Sequence, residues 1–440
     1  MISATTTELV RSSATVESWS TLKSIVFRFC FAYFGLYCFV GILPGLVMIP
    51  KLDIPDPLTL WPFRPAIFWV AAHLFGARLP LVYTGSGSGD KTWDWTEIFC
   101  ILVVALTATM VWSAVDRNRR DYIKLHKWFR LYICFCLGGT ILLYAFDKIV
   151  PLQMSYPFLT SQLQPFSAFS PAGILWNSIG ASPAYEIFAG LAELLGAVLL
   201  MFPRTVTLGA LVCLIDMTQV WMLNMTYDVP VKQFSFHLGL LSIFLLAPQV
   251  PRLMDFFVRG RAVPAEAVEP LFKSLRANRI AAWMQALLWI WILSMNVYQS
   301  ASSWREYGGG RTKSPLYGIW DVTQMTTDGQ MRAPLLNDNG RWRRMIFDFP
   351  NSMMVQHLDD AFEPFQATLD ASKNALFLSK QDDKAWKAKF SYQRPAPDEL
   401  LLSGTMAGHN VLMQLKRVDE KKFLLASRGF HWVQEYPFIR

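Results

Sequence analysis

Two hydrophobic stretches separated by two residues decide the fold: AYEIFAGLAELLGAVLLMF at 184–202 and TVTLGALVCLIDMTQVWMLNMT at 205–226. Each approaches the roughly 20 apolar residues that a helix needs to cross a bilayer. Only Pro203 and Arg204 lie between them. We therefore expect two membrane-spanning helices, the second running back across the bilayer.

Five further stretches of the same character predict a membrane protein with about seven spans. Only 17% of the 440 residues are charged and 53% are hydrophobic, whereas soluble domains have about 25% charged residues. We number the spans in chain order, so that 184–202 is span four and 205–226 is span five. The other five lie near 24–44, 95–114, 131–147, 234–250 and 280–299. The apolar segment 61–80 carries Arg64, Pro65, His73 and Arg78, and is expected to form an interfacial or loop helix.

Lysine and arginine in the short loops predict the orientation. Basic residues gather after span two, from Arg117 to Arg130, and after span six, from Arg252 to Arg279. The positive-inside rule places both loops in the cytoplasm. The tail 1–23 is then cytoplasmic, and the C-terminal region lies in the periplasm or outside a bacterial inner (plasma) membrane. Since these residues flank spans, the net charge of +8 reflects topology and implies no nucleic-acid partner.

The chain changes character after the membrane domain 24–299 and the linker 300–316. Apolar and polar residues alternate at 411–416, which is typical of a strand. Similar runs lie at 344–349, 365–369, 375–379, 385–392 and 423–428, with hairpin turns expected at 371–374, 407–409 and 419–421. About eight strands without a long helix predict an antiparallel β-barrel at 317–440, because closure leaves no sheet edge unpaired.

One motif resembles the start of lipocalin-like barrels. Tyr317-Gly318-Ile319-Trp320 matches their Gly-x-Trp pattern, and the resemblance implies that Arg428, or alternatively Arg440, packs across Trp320. It also implies an apolar interior that could hold a lipid or a quinone tail. A solidly packed barrel and an unrelated β-sandwich with a core tryptophan stay open as alternatives.

Ionisable residues within the spans are the candidate catalytic residues, because such groups are costly in lipid and usually face a bundle interior or a water-filled cavity. Glu186 and Glu193 are seven residues apart on span four, hence on one face, and span five carries Asp216. At about 1.5 Å of rise per residue, Glu193 and Asp216 both come near the bilayer midplane. Two such carboxylates repel, so at least one is expected to be protonated at neutral pH.

A second layer is expected nearer the outer surface. Glu186 and His237 fall in the outer third of their spans, close to Asp228 and Lys232 in the loop after span five. These four could relay protons or hold a polar head group. The candidate ligand-binding residues are Gln219, Asn224, Asp228 and Lys232. Hydrogen bonds between helices offer a purely structural alternative for all of these groups.

Other cofactor signals are absent from the sequence. It has no HExxH or paired CxxC spacing, and Gly85–Asp90 lacks the Gly-Lys-Ser/Thr ending of a nucleotide loop, so neither metal nor nucleotide is implied. We expect Gly85–Asp90 to be a mobile loop. Cys134 and Cys136 are two apart on a helix and point to different sides, which argues against a metal or redox pair.

Spans three to six, 131–250, resemble the four-helix DoxX family. The likeness is carried by Tyr144–Lys148 with Pro151, Tyr185-x-x-x-Ala189-Gly190-x-x-Glu193, Leu199–Arg204, Thr207–Ala210 and Ala247-Pro248. The resemblance implies a four-helix bundle and a link to quinone-linked oxidoreductases. A more distant likeness to the membrane domain of vitamin K-dependent carboxylases also implies a quinone-type ligand.

These observations predict a polytopic α-helical membrane protein with a C-terminal barrel that binds a quinone or isoprenoid lipid in spans three to six. It would serve a periplasm-facing redox process with a redox partner protein, Glu193 and Asp216 lining the pocket and Glu186 with His237 connecting it to the outer surface. The alternative is a non-catalytic lipid-binding or assembly protein whose exported barrel captures a lipid or a partner. Whether the chain is an enzyme stays open; if it is one, a quinone-linked oxidoreductase subunit is expected.

Overall fold

The computed structural model describes residues 19–47, 49, 54–119, 121–264, 270–338 and 340–439. Most of the predicted tail 1–23 lies outside the described residues. The chain divides into two compact units, which we treat separately. The membrane unit comprises the chain up to Phe146 together with Ala189–Gln299, and the barrel unit comprises Asp147–Phe188 together with Ser300–Arg440.

Seven helices are long and apolar enough to cross a membrane, which confirms the predicted helical architecture. They run Thr21–Val47, Thr92–Val115, Ile123–Ile149, Pro183–Met201, Val206–Thr226, Lys232–Phe257 and Leu275–Glu306. Span three begins at Ile123 rather than near 131, so Lys127 and Arg130 belong to the helix instead of the preceding loop. Long basic side chains can lie at a helix end because their apolar stems pack while their charged heads reach water.

Span three is the central helix of the membrane unit. In its most apolar stretch 61% of the residues are buried, against 39% or less in the other six spans. Spans four and five approach closely at two glycines: a Cβ on Gly209 would lie 2.8 Å from the Leu200 nitrogen, and one on Gly196 would lie 2.8 Å from the Cys213 Sγ. Small residues at these positions let the two backbones touch.

Shorter helices lie between the spans and after the last strand of the barrel. Phe63–Leu74 is a 12-residue helix, as expected for the segment 61–80, and it buries Ile67 and Ala71 beside Leu81 and Trp93. The other helical segments are Pro57–Thr59, Phe166–Ala168, Pro171–Gly180, Glu420–Lys422 and Leu424–Ser427.

The barrel unit contains a closed antiparallel β-barrel, as predicted. Its strands are β1 (Gly318–Thr327), β2 (Gln330–Met331), β3 (Trp342–Phe347), β4 (Ser352–His357), β5 (Phe362–Asp370), β6 (Ala375–Ser379), β7 (Lys387–Gln393), β8 (Glu399–Met406) and β9 (His409–Arg417). Consecutive strands pair from β3 to β9, and β1 pairs with both β3 and β9. The two-residue β2 pairs only with the last two residues of β1 and takes no part in closure, so eight strands close the barrel.

The barrel interior is filled by its own side chains. Trp320 is fully buried and donates from Nε1 to the Leu316 carbonyl oxygen at 2.8 Å. A single closed sheet excludes the β-sandwich alternative, and the filled interior agrees with the solidly packed one. Other large buried residues of the same cluster include Trp342, Phe347, Phe365, Phe390 and Met413.

The predictions for the C-terminal segment were wrong in two respects. Residues 423–428 form no strand, and 419–421 form no hairpin turn, because the chain turns helical at Glu420–Lys422 and Leu424–Ser427. A further strand would need a free sheet edge, and the pairing of β1 with β9 leaves none. Arg428 lies over Phe438 at 4.8 Å, whereas the guanidinium near Trp320 is that of Arg394, at 5.6 Å. Arg440 lies outside the described residues.

The barrel unit also includes a segment that the sequence analysis assigned to the membrane domain. Leu159 packs with Ile319 and Ile346 on the barrel wall. The Leu159 nitrogen donates to Asp348 Oδ2 at 2.9 Å, and Arg311 donates to Asp348 Oδ1 at 2.6 Å. This buried carboxylate therefore fixes the segment 147–188 to the barrel.

Candidate functional site

Glu193 and Asp216, the predicted midplane pair, lie on two helices that touch. Span four meets span five where Gly196 faces Cys213. Glu193 lies three residues before this contact on span four, and Asp216 lies three residues after it on span five. Since the two helices run antiparallel, these positions come to the same level. Both carboxyl groups are electrostatic neighbours of the Cys213 thiol. Glu193 is buried and Asp216 is half-buried. The structure thus brings these two residues to one level of the bundle.

Two members of the predicted outer cluster, Asp228 and Lys232, form an ion pair, whereas His237 has other hydrogen-bond partners. Lys232 lies 2.8 Å from Asp228 and 3.7 Å from Asp90. Asp90 also accepts hydrogen bonds from the backbone nitrogens of Lys232 and Gln233. The end of the Gly85–Asp90 loop, which we expected to be mobile, is therefore attached to the start of span six. Asp228 is 82% exposed, so its ion pair with Lys232 contributes little energy. Asp90 is only 10% exposed, and its hydrogen bonds fix the loop.

Three other predicted residues have structural or outward positions. Glu186 belongs to the barrel unit, is fully buried, and accepts a hydrogen bond at Oε1 from the Met154 nitrogen at 2.9 Å. Asn224 donates to Ser235 Oγ at 3.0 Å, which supports its structural interpretation. Gln219 is exposed on the surface of the membrane unit, so it lines no interior site there.

His237 forms a buried group with two tyrosines of span one, here called the tyrosine–histidine group (Tyr33, Tyr37 and His237). The Tyr33 hydroxyl lies 2.7 Å from His237 Nε2, and His237 Nδ1 lies 2.6 Å from the Gln233 carbonyl oxygen. Since a carbonyl only accepts, Nδ1 carries the proton and Nε2 accepts from Tyr33. The Tyr37 ring stacks on the imidazole at 4.3 Å between centroids.

The Tyr37 hydroxyl is the unusual member of this group. Tyr37 is 5% exposed, and its hydroxyl has no hydrogen-bond partner among the described residues. Buried polar groups in native structures are nearly always paired, so such an exception calls for an explanation. Immediately after Tyr37 the helix widens into a π-helical turn at Cys38–Ile42, a distortion often found at functional sites.

The same turn places the Cys38 thiol beside that of Cys136. Both thiols are fully buried. Cys134, in contrast, is an electrostatic neighbour of Cys213, so Cys134 and Cys136 face different helices, as their spacing predicted. Among the described residues, no three His, Cys, Asp or Glu side chains gather as a metal site would require.

A polar network ties together the ends of spans one, two and three. Buried Arg28 donates to the Tyr122 hydroxyl at 2.8 Å and to the Asp116 carbonyl oxygen at 2.8 Å. The Tyr122 hydroxyl in turn donates to Asp116 Oδ2. This hydrogen bond holds the pKa of Asp116 below its usual range. The pKa of Tyr122 is raised, mainly by burial and further by the same hydrogen bond. Arg28 therefore anchors helices.

A cavity of about 2500 Å³ opens within the membrane unit. Ligand pockets for drug-sized molecules measure about 300–1,000 Å³, so this one is large enough for a lipid. Its walls come from spans one, three, six and seven and from the turn between spans four and five. Apolar side chains form most of its lining, among them Phe27, Phe34, Leu240, Phe244 and Trp289.

Basic residues surround one end of this cavity. Those that line it are Lys23, Lys127, Arg130, Arg204 and Arg252. They lie at the starts of spans one and three, just after span four and at the end of span six. Because successive spans cross the membrane in opposite directions, these four helix ends lie on the same side of it. Phe34 is eleven residues further along span one than Lys23, or about 16 Å deeper at 1.5 Å per residue. The cavity therefore has a basic end and an apolar interior.

The tyrosine–histidine group and the cavity were not predicted from the sequence, for identifiable reasons. Tyr33 and Tyr37 are four residues apart on one face of span one, a spacing that could have marked them. Their partner His237 is about 200 residues away, however, and that pairing leaves no local signal. Of the five basic residues, Lys127, Arg130 and Arg252 were interpreted as topology signals, Arg204 belonged to the DoxX-like stretch and Lys23 was not singled out. A sequence does not show which basic residues turn inward.

Comparison with known proteins gives one match. Over 129 residues the chain is 30% identical to the uncharacterized protein YwoB of Bacillus subtilis (strain 168), a stretch that covers 29% of this chain and 79% of that protein. No family model matches the sequence, and no solved structure matches it.

Proposed function

The chain belongs to the same family as the uncharacterized protein YwoB of Bacillus subtilis, and from this premise we propose that its membrane unit binds a long-tailed lipid in the cavity between its spans. The proposal rests on the site, because the relative's name carries no activity. It differs from the lipid-binding alternative stated above, in which the exported barrel captures the lipid. Since the barrel interior is filled by its own side chains, the lipid is placed in the membrane unit.

The observation that carries this proposal is the combination of volume and lining. A cavity of about 2500 Å³ with aromatic and aliphatic walls gains free energy when apolar chains replace water in it, by about 25 cal/mol for each Å² of apolar surface buried. The basic residues at one end give the ligand a direction. Its tail would lie among Phe34, Leu240 and Trp289, and its polar end would lie toward Lys23 and Arg204.

Blocking the cavity tests the proposal. Ala286 lines it, so Ala286→Trp should fill part of the space, and lipid extracted from the purified, detergent-solubilised protein should fall severalfold by mass spectrometry. Leu287 is the next residue on span seven but is 62% exposed and lies outside the lining. Leu287→Trp should therefore keep the bound lipid. Equal lipid retention in both variants would contradict the proposal.

A second candidate function is quinone-linked redox chemistry, which the Tyr37 hydroxyl favours and the DoxX resemblance suggests. This buried phenol has no hydrogen-bond partner in the described part of the chain, and a ligand carbonyl would supply the acceptor. A bound quinone would supply two-electron chemistry, with a redox partner protein on the other side of the exchange. Tyr37 would orient the ring, and Tyr33 with His237 would hold or pass a proton.

Quinone retention separates this second candidate from simple lipid binding. Tyr37→Phe and Glu193→Gln should lose copurified quinone while phospholipid stays bound, because a phenyl ring cannot donate a hydrogen bond and an amide cannot exchange a proton at neutral pH. Leu195→Met, an exposed change on span four, is the control. Finding no quinone in the unaltered protein would leave lipid binding as the function.

A further inference from the structure

We infer that the segment 429–439, which follows the barrel, docks on the lipid bilayer at the membrane interface. Five of its apolar side chains are strongly exposed: Trp432 at 91% and Ile439 at 90%, followed by Tyr436, Val433 and Phe430. Proteins in water rarely leave such a patch uncovered, so it marks an interaction surface. The bilayer is the partner because this weakly charged aromatic segment starts at the end of the barrel to which the spans are connected.

The segment is shaped by contacts among its own polar side chains. The Arg428 guanidinium contacts the side chains of His431 and Gln434. The rings of Phe430 and Trp432 meet edge to face, with 5.0 Å between their centroids. Polar groups thus satisfy one another while the two rings stay exposed. This arrangement suits an apolar partner better than water.

The position of the segment on the barrel favours the bilayer. The first residues of β1 pair with the last residues of β9, so the chain leaves the barrel where it arrives from span seven. Between β9 and the segment, Phe423 packs against the cluster of Leu159, Ile319 and Ile346. Leu159 belongs to the stretch that joins spans three and four. The segment therefore starts at the end of the barrel that is connected to three spans.

Aromatic residues mark the level of the membrane interface on this unit. The barrel unit includes the ends of spans three, four and seven. Tyr185 lies at the start of span four, Tyr307 follows the end of span seven, and both are about half exposed. Tyrosine and tryptophan are enriched at this level because their rings are apolar and their polar tips reach water. Trp432 and Tyr436 have the same chemistry.

The composition of the segment suits the interface and not the hydrocarbon core. From 429 to 439 only Glu435 is charged at neutral pH, when histidine is neutral, so few groups resist the removal of water. The segment forms no helix or strand. Its backbone N–H and C=O groups therefore need partners that hydrocarbon cannot supply, whereas water and lipid head groups can. The aromatic rings should reach just below the head groups.

Quenching by brominated lipids tests the inference on the full-length protein in nanodiscs. A fluorescent label attached to Trp432→Cys reports on the segment. The same label attached to Leu336→Cys reports on the opposite end of the barrel, because Leu336 is 75% exposed in the loop between β2 and β3. Lipids brominated high on their acyl chains should remove at least half of the fluorescence at position 432 and none at position 336. The unaltered protein, treated alike, gives the background of its six cysteines.

Iodide, which stays in water, provides the opposite measurement. It should quench the label at position 336 several times more strongly than the label at position 432. Equal quenching by iodide at both positions would place the segment in water and overturn the inference. Protection of position 432 from both quenchers would indicate a protein partner or a second copy of the chain in place of the bilayer, and would overturn it too.

A matched variant shows whether the segment or the label inserts. Phe430→Ser, Val433→Ser and Tyr436→Ser together remove much of the exposed apolar surface, so quenching of the label at position 432 by lipid should fall at least twofold. Met331→Ser with Leu335→Ser, two exposed positions at the opposite end of the barrel, should leave that quenching unchanged. Unchanged quenching in the triple variant would mean that the label inserts by itself, and would overturn the inference.

Discussion

Tyr33 and Tyr37 lie one helical turn apart, and their hydroxyls differ in hydrogen bonding. Tyr33 satisfies the buried Nε2 of His237, whereas Tyr37 has no partner among the described residues. Removing one member of a buried hydrogen bond costs about 1–3 kcal/mol, and removing an unsatisfied hydroxyl costs little or nothing. Tyr33→Phe should thus lower the unfolding temperature in detergent, and Tyr37→Phe should leave it unchanged or raise it. Equal losses would show that the Tyr37 hydroxyl is bonded.

Asp328 predicts a pH dependence for the barrel. Its carboxylate accepts a hydrogen bond from His409 Nδ1 at 2.7 Å and another from the Asn410 nitrogen. Both bonds lower the pKa of Asp328, and the bond from His409 has the larger effect. A lowered folded-state pKa adds stability above the unfolded value of about 3.9, and this stability is lost as the pH falls through the folded value.

The full-length protein in detergent is suited to this measurement, because it keeps Arg311 and Leu159, the partners of Asp348. Urea unfolding of the barrel at pH 6 and at pH 3 should show a smaller loss for Asp328→Asn than for the unaltered protein, because the amide does not titrate. Identical losses would mean that Asp328 does not contribute to the pH dependence.

At the scale of elements, the contact between spans four and five depends on Gly209. A methyl group there would meet the backbone of Leu199 and Leu200 at 2.8–2.9 Å, and overpacking of this kind costs about 1–3 kcal/mol. Gly239 on span six has nothing within 4 Å of the corresponding position. Gly209→Ala should lower thermal stability in detergent, and Gly239→Ala should preserve or raise it because alanine favours helix. The reverse order would contradict the close contact.

The segment 147–188 predicts a second effect at this scale. Asp348 is buried between Arg311 and the Leu159 nitrogen, and breaking a buried ion pair leaves an uncompensated charge that costs about 3–5 kcal/mol. Asp348→Ala should release the segment, and chymotrypsin should then cut at Tyr156 or Phe158 much faster. The exposed Asp382→Asn is the control. Unchanged cleavage would mean that the apolar contacts of Leu159 alone hold the segment 147–188 on the barrel.

Sequence reasoning predicted the elements that depend on local pattern. The seven spans followed from hydropathy, because each must bury its own backbone polar groups in lipid, and most strands followed from alternation. Residues 423–428 were mistaken for a strand because alternation over six residues does not show whether a sheet edge is free. The attachment of Leu159 to the barrel could not be predicted, since it joins positions 189 residues apart through one carboxylate.

The candidate site was predictable only in part. Glu193, Asp216 and His237 were found because ionisable groups in spans are conspicuous. Their neighbours were not, since tyrosine, phenylalanine and cysteine in a span are ordinary lipid-facing or core residues by composition.

At the scale of the whole chain, the orientation is still a prediction. A reporter fused at Asn118 or Pro264 should signal from the cytoplasm, and one fused after Arg440 should be active only outside it, because seven spans reverse the side of the chain. The same orientation places the basic end of the cavity at the inner leaflet. A cytoplasmic signal at Arg440 would mean that one of the seven helices does not cross the membrane.

The closure of the barrel by β1 and β9 has an evolutionary consequence. Trp320 lies opposite Arg417, and the Val418 nitrogen donates to the Ile319 carbonyl oxygen at 2.8 Å, so the polypeptide arrives at the barrel and departs from it at one place. Chains whose ends meet in this way tolerate insertion and circular permutation. A gene could acquire the strands of this barrel through a single insertion, whereas the segment 147–188, which packs on the barrel wall, would have to adapt to them afterwards.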